Sequence, residues 1–106
     1  MSKYKGSIII DRLDRCLVCK TYQNIHIHHV FGAANRKNST KYCLVVPLCG
    51  YHHNLSKEGV HQNRKLDLEL KKLGQKAFQY HYPDLDFLSI FHRNYLTEEE
   101  GWFIPY

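Results

Sequence analysis

Residues 26–61 read HIHHVFGAANRKNSTKYCLVVPLCGYHHNLSKEGVH, and these 36 residues hold six of the chain's eight histidines and two of its four cysteines. No ordinary core needs that concentration of imidazole. His and Cys are the side chains that bind zinc-like metals best, so the stretch reads as metal chemistry rather than packing. Ile25-His26-Ile27-His28-His29-Val30-Phe31 begins with alternation and is rich in β-branched residues, which predicts a strand. Tyr42-Cys43-Leu44-Val45-Val46 predicts a second strand, stopped by Pro47, and the two make a β-hairpin with a long connection.

Working outward, Cys16-Leu17-Val18-Cys19 is a C-x-x-C knuckle whose two sulfurs can reach one metal from a single tight turn. Its redox reading is weaker, because the thioredoxin-like case needs a βαβ context that does not follow. Cys49-Gly50-Tyr51-His52 is a second knuckle, C-x-x-H, with Gly50 available for a positive φ. Two knuckles flanking the hairpin supply Cys16, Cys19, Cys49 and His52, a set that suits a closed tetrahedral structural zinc. Cys43 lies mid-strand and reads as a small buried hydrophobe.

His28, His29, His53 and His61 are then left over, and four histidines beside a zinc knuckle point to a second, open metal site. A helix is expected to begin over Tyr51–Lys57 and to be interrupted by Gly59, so the chain must bend to bring His61 back to His53.

Length and composition bound the function. At 106 residues and 43% hydrophobic content the chain is expected to form one α+β domain, residues 1–106. Within it, 14–63 is the zinc-stapled core, 64–96 a helical scaffold and 97–106 an acidic, then aromatic, tail. A net charge of +5 favours a polyanionic partner, and the basic segment Gly32–Lys41 reads as a loop whose Arg36, Lys37 and Lys41 can lie along a phosphate backbone. A simple solvated hairpin loop fits those residues equally well. The apolar run Ile8-Ile9-Ile10, expected as a short strand, is too short for a signal peptide or a membrane span. Cysteines in a chain without a secretory signal belong to a reducing compartment, and the expected location is the cytoplasm.

Leu66, Leu70, Leu73, Ala77 and Tyr80 recur at helical spacing through Arg64–Tyr82, ended by Pro83. Asp84 is expected to cap a second helix with Leu85, Leu88, Phe91 and Tyr95 inward.

The order C-x-x-C, then H-H-V, a hairpin, P-L-C-x-x-H-H and a further His resembles the HNH (ββα-metal) endonuclease family, in particular its small phage and prophage members. The resemblance spans about residues 14–63. It implies a ββα-metal core, a DNA partner and a bacterial or phage-infected cell. It implies His29 as the general base, and His28, His53 and His61 as ligands of a catalytic divalent ion (Mg²⁺, Mn²⁺, Ni²⁺ or Zn²⁺) beside a structural Zn²⁺. Leu44 stands where the family keeps its middle Asn, which leaves Asn35, Asn38 or a backbone carbonyl to orient His29. The other reading open to the sequence is a catalytically silent zinc-binding module that holds nucleic acid or protein.

Overall fold

The computed structural model describes residues 6–96, an α+β arrangement of one two-stranded antiparallel sheet and several helices. Strand β1 (Ile25–His29) pairs with β2 (Val45–Cys49), with Ile25 opposite Cys49 and His29 opposite Val45. The second strand thus runs through Pro47 instead of stopping before it, three residues later than the expected Tyr42–Val46. The register explains the tolerance. Pro47 faces Ile27 in a pair that exchanges no ladder hydrogen bond, so its missing N–H is not needed. Its carbonyl points away from β1 and accepts from the Leu17 N–H at 2.8 Å, docking the first knuckle on the sheet.

The connection between the strands is helical, not a loop. A 3-10 turn (Ala33–Asn35) leads into α1 (Arg36–Lys41), although the segment has almost no apolar content. Buried polar pairing replaces hydrophobic packing there. Ser39 is fully buried, its hydroxyl donating to the Phe31 carbonyl at 2.7 Å and accepting from the Phe31 N–H at 3.0 Å. The Asn35 and Asn38 amides donate to the carbonyls of Phe91 and Ile90.

After β2 comes α2 (Gly50–His53), one turn only and much shorter than the expected Tyr51–Lys57 helix. The chain then folds back on that turn, with the N–H groups of Val60 and His61 donating to the carbonyls of His52 and His53. Gly59 permits this return, because a Cβ there would lie 2.7 Å from the His53 carbonyl oxygen.

Helix α3 (Arg64–His81) starts where Asn63 accepts from the Leu66 N–H and stops before Pro83. Its inward stripe is rotated from the expected one. Leu70, Gly74, Ala77 and Phe78 are buried, whereas Leu73 and Tyr80 are exposed at the rim of a groove formed with Ile8, Ile9, Ile10 and Leu17. Helix α4 (Phe87–Phe91) has Asp86, not Asp84, at its N-cap and turns Phe87 and Phe91 inward while Leu85 and Leu88 face out. Those two rings join Phe31 and Phe78 in an aromatic cluster between the sheet and the helices.

Ile8–Ile10 is a turn, not a strand: the Ser7 hydroxyl accepts from the N–H groups of Ile9 and Ile10. Cys43 is only half-buried and sits at φ 59°, outside the core. The expected tail at 97–106 lies outside the described residues.

Candidate metal centres

Two separate groups of metal-ligating side chains converge in the fold. The first is Cys16, Cys19, Cys49 and His52, whose ligand atoms all lie within 4.8 Å of one another. Cys19 Sγ and Cys49 Sγ are 3.7 Å apart, and His52 Nδ1 stands 3.3 Å from Cys49 Sγ and 3.8 Å from Cys16 Sγ. Metal–sulfur bonds of about 2.3 Å in a tetrahedron give S···S edges of about 3.8 Å, so the observed spacing suits one shared ion.

The knuckle turns are set locally. Lys20 adopts φ 67° and donates its N–H to the Cys16 carbonyl, closing the first turn around its two sulfurs. Burial pushes the Cys16 thiol up, but the backbone N–H groups of Cys19, Cys49 and Val18 outweigh it and hold this thiol down at about 6. Cys49 is pushed the other way, first by burial and then by the neighbouring sulfurs of Cys19 and Cys16. A pocket that favours a thiolate at one sulfur and crowds two more against it is matched to a cation.

Gly50 opens α2 without a positive φ; its glycine is needed for space. A Cβ there would run into the Asn24 side-chain amide and Leu55 Cδ1.

The second group is His28, His53 and His61, again with ligand atoms within 4.8 Å. Strand alternation puts His28 on the face of β1 that looks toward α2, and the return of the chain after Gly59 adds His61. His61 Nε2 lies 3.1 Å from His53 Nε2, and the His28 ring packs edge-on against both, with centroids 5.4 Å away. His28 is 7% exposed, and its Nε2 is a buried polar atom without a hydrogen-bond partner among the described residues. Burial, followed by the charges of His53, His61, His29 and Lys71, drives His28 down to about 3. Burial and the neighbouring His61 and His26 lower His53 as well. Three imidazoles turned toward one point, one of them orphaned, fit a divalent cation.

His29, one residue on, faces away from His28 toward α1 and sits at the strand end, where it still lines the same cleft of about 580 Å³. Its Nε2 lies 3.0 Å from the Thr40 hydroxyl, which in turn donates to the Arg36 carbonyl at 3.3 Å. Thr40 was not among the expected partners Asn35, Asn38 or a backbone carbonyl, because the threonine reaches His29 only once 36–41 is helical. Leu44, at the family's Asn position, is fully buried in the core.

Arg36, Lys37 and Lys41 are all exposed on α1, but only Arg36 lines the cleft; Lys37 and Lys41 share a different side of the helix, one turn apart. Sequence reasoning missed Lys71, Asp67 and Tyr95, which close the cleft from the far side. Lys71 pairs with Asp67 at 2.7 Å. It also missed His26, whose Nδ1 lies 2.8 Å from His53 Nδ1. The alternation of β1 was the available signal, since His26 and His28 share a face.

Family models, curated proteins and solved structures contain no match to this chain. Among the described residues no helix is long and apolar enough to cross a membrane.

Proposed function

We propose that the chain is a metal-dependent DNA endonuclease of the HNH type, with a ββα-metal core, that hydrolyses phosphodiester bonds in the cytoplasm of a bacterial or phage-infected cell. The observation that carries this is the buried, unpartnered His28 Nε2 beside His53 and His61, in a cleft shared with His29. Cys16, Cys19, Cys49 and His52 already form one ligand group suited to a structural zinc, and His28, His53 and His61 form a second, separate one.

Three nitrogen donors favour a transition ion such as Zn²⁺ or Ni²⁺ over Mg²⁺ or Mn²⁺, which prefer oxygen ligands. When bound, such an ion polarises the phosphate and relieves charge on the leaving 3′ oxygen. The Thr40 hydroxyl, donating to the Arg36 carbonyl, accepts from His29 Nε2–H and leaves Nδ1 as the basic nitrogen. His29 Nδ1 takes the proton from the attacking water as the new P–O bond forms and the bond to the 3′ oxygen breaks. Arg36 supplies positive charge along the cleft for the phosphate backbone, without reading bases.

A silent zinc module is the second reading, and it draws on Leu44, which removes the family's Asn. Nicking of supercoiled plasmid with Mg²⁺, Mn²⁺, Ni²⁺ or Zn²⁺ supplied separates the two. Cleavage lost in His29→Ala supports the enzyme; no cleavage by wild-type protein with any of these ions supports the module.

A further inference from the structure

We propose that Asn24 and His26 form a hydrogen-bonded relay that locks the ring of His53 in the tautomer and orientation needed to bind metal. The inference rests on the reading of His28, His53 and His61 as an open metal site.

Direction in the relay follows from its first member. Asn24 sits just before β1 at φ 54°, and its backbone carbonyl accepts from the Gly50 N–H at 3.0 Å, which ties it to the head of α2. Its side-chain oxygen lies 3.2 Å from His26 Nε2. An amide oxygen only accepts, so His26 Nε2 carries the hydrogen. A neutral imidazole has one N–H, and His26 Nδ1 is then an acceptor. It lies 2.8 Å from His53 Nδ1, which must donate. The hydrogen of His53 is thereby held at Nδ1, and the lone pair of Nε2 is turned toward His61, 3.1 Å away.

The position of each member is built in. His26 and His28 share one face of β1 by strand alternation, so the strand that supplies one ligand also supplies the support for another. Gly50 leaves the space that the Asn24 amide fills, since a Cβ there would collide with it. The His26 and His53 rings meet edge-on at 89° with centroids 5.0 Å apart, as an in-plane N–H···N bond between rings on two elements can require. A metal-ligating His whose other nitrogen is left unsupported spends part of its time in the wrong tautomer. Loss of such a partner typically lowers metal affinity about 10- to 100-fold.

The test is calorimetric titration of the full-length, zinc-loaded chain with Ni²⁺, alongside zinc content and far-ultraviolet circular dichroism. Wild type is expected to take up one Ni²⁺ beyond its zinc. His26→Leu is expected to bind it about 10- to 100-fold more weakly with zinc and fold retained. His26→Asn, which puts an amide oxygen where ring Nδ1 stands, is expected to recover most of the affinity. Asn24→Gly, which keeps the left-handed backbone, is expected to fall between. Equal affinity in wild type and His26→Leu would overturn the relay while leaving the metal site intact. Binding by His26→Asn as weak as by His26→Leu would overturn the hydrogen-bonding role. Wild-type protein that binds no Ni²⁺ beyond its zinc would overturn the relay together with the open-site reading.

Discussion

The Thr40 hydroxyl lies 3.0 Å from His29 Nε2, joining a helix of polar residues to the histidine at the end of β1. The contact positions the ring, and it separates two kinds of variant. His29→Ala would remove the proposed base and is expected to slow cleavage about 10²- to 10⁴-fold with both ions still bound. Thr40→Val removes only this contact to the ring, so a smaller loss is expected, with DNA affinity unchanged. His28→Ala is expected to lose the second ion as well as cleavage. Plasmid nicking and metal analysis on the same preparations check all three.

Cys16, Cys19, Cys49 and His52 bring both knuckles to one point against the hairpin, where the proposed zinc would staple them. Structural zinc in small domains contributes on the order of 10 kcal/mol, comparable to a domain's whole stability. Strong chelation is therefore expected to abolish the cooperative melting transition, as is Cys49→Ser. A native circular dichroism spectrum with unchanged melting in the zinc-free protein would refute this role.

His28 is held at about 3, chiefly by burial, against an ordinary 6.5. Between those values the unfolded chain binds a proton that the folded chain does not. Stability from this group is whole above about pH 6.5 and falls as pH drops toward 3. With the open site free of metal, moving from pH 7.5 to 5.5 is expected to cost wild type about 1 kcal/mol more than His28→Leu. Urea denaturation at the two pH values measures the difference.

On α1, Arg36 faces the cleft while Lys37 and Lys41 lie on another side. If all three meet phosphates, log K against log salt slopes by roughly −2.7, at about −0.9 per contact. Arg36→Ala is expected to reduce both the slope and cleavage. Lys37→Ala and Lys41→Ala are expected to reduce the slope alone. Fluorescence anisotropy over a salt series reads the slopes, and a flat dependence would remove α1 from the interface.

Ser39 holds α1 to the end of β1 through two bonds to Phe31, both buried. Ser39→Ala leaves a buried N–H and carbonyl without that partner and is expected to cost about 1–3 kcal/mol. The loss is measured as a lower urea midpoint with an unchanged slope.

What the amino-acid order determined by itself was short-range. Two ligands three positions apart in a tight turn are a property of four residues, so both knuckles were legible. So was the extent of α3, where an eighteen-residue helix carries helical spacing and a Pro83 stop, though not which side of it faces inward. The rest depended on long-range register and polar pairing, for which local composition carries no signal. The segment 32–41 looked solvated because its Ser and Asn side chains are polar, and only Phe31, Ile90 and Phe91 backbone groups, distant in sequence or across a turn, make it a helix. Pro47 looked like a strand end until the pairing with Ile27 left its nitrogen facing no partner. Leu73 and Leu70 were equivalent by spacing, and the packing of Phe31 and Phe78 chose between them. His26 was one spare histidine among several. Its role follows from a 2.8 Å approach to His53, 27 residues away, which exists only when β1 and α2 are brought together across the sheet.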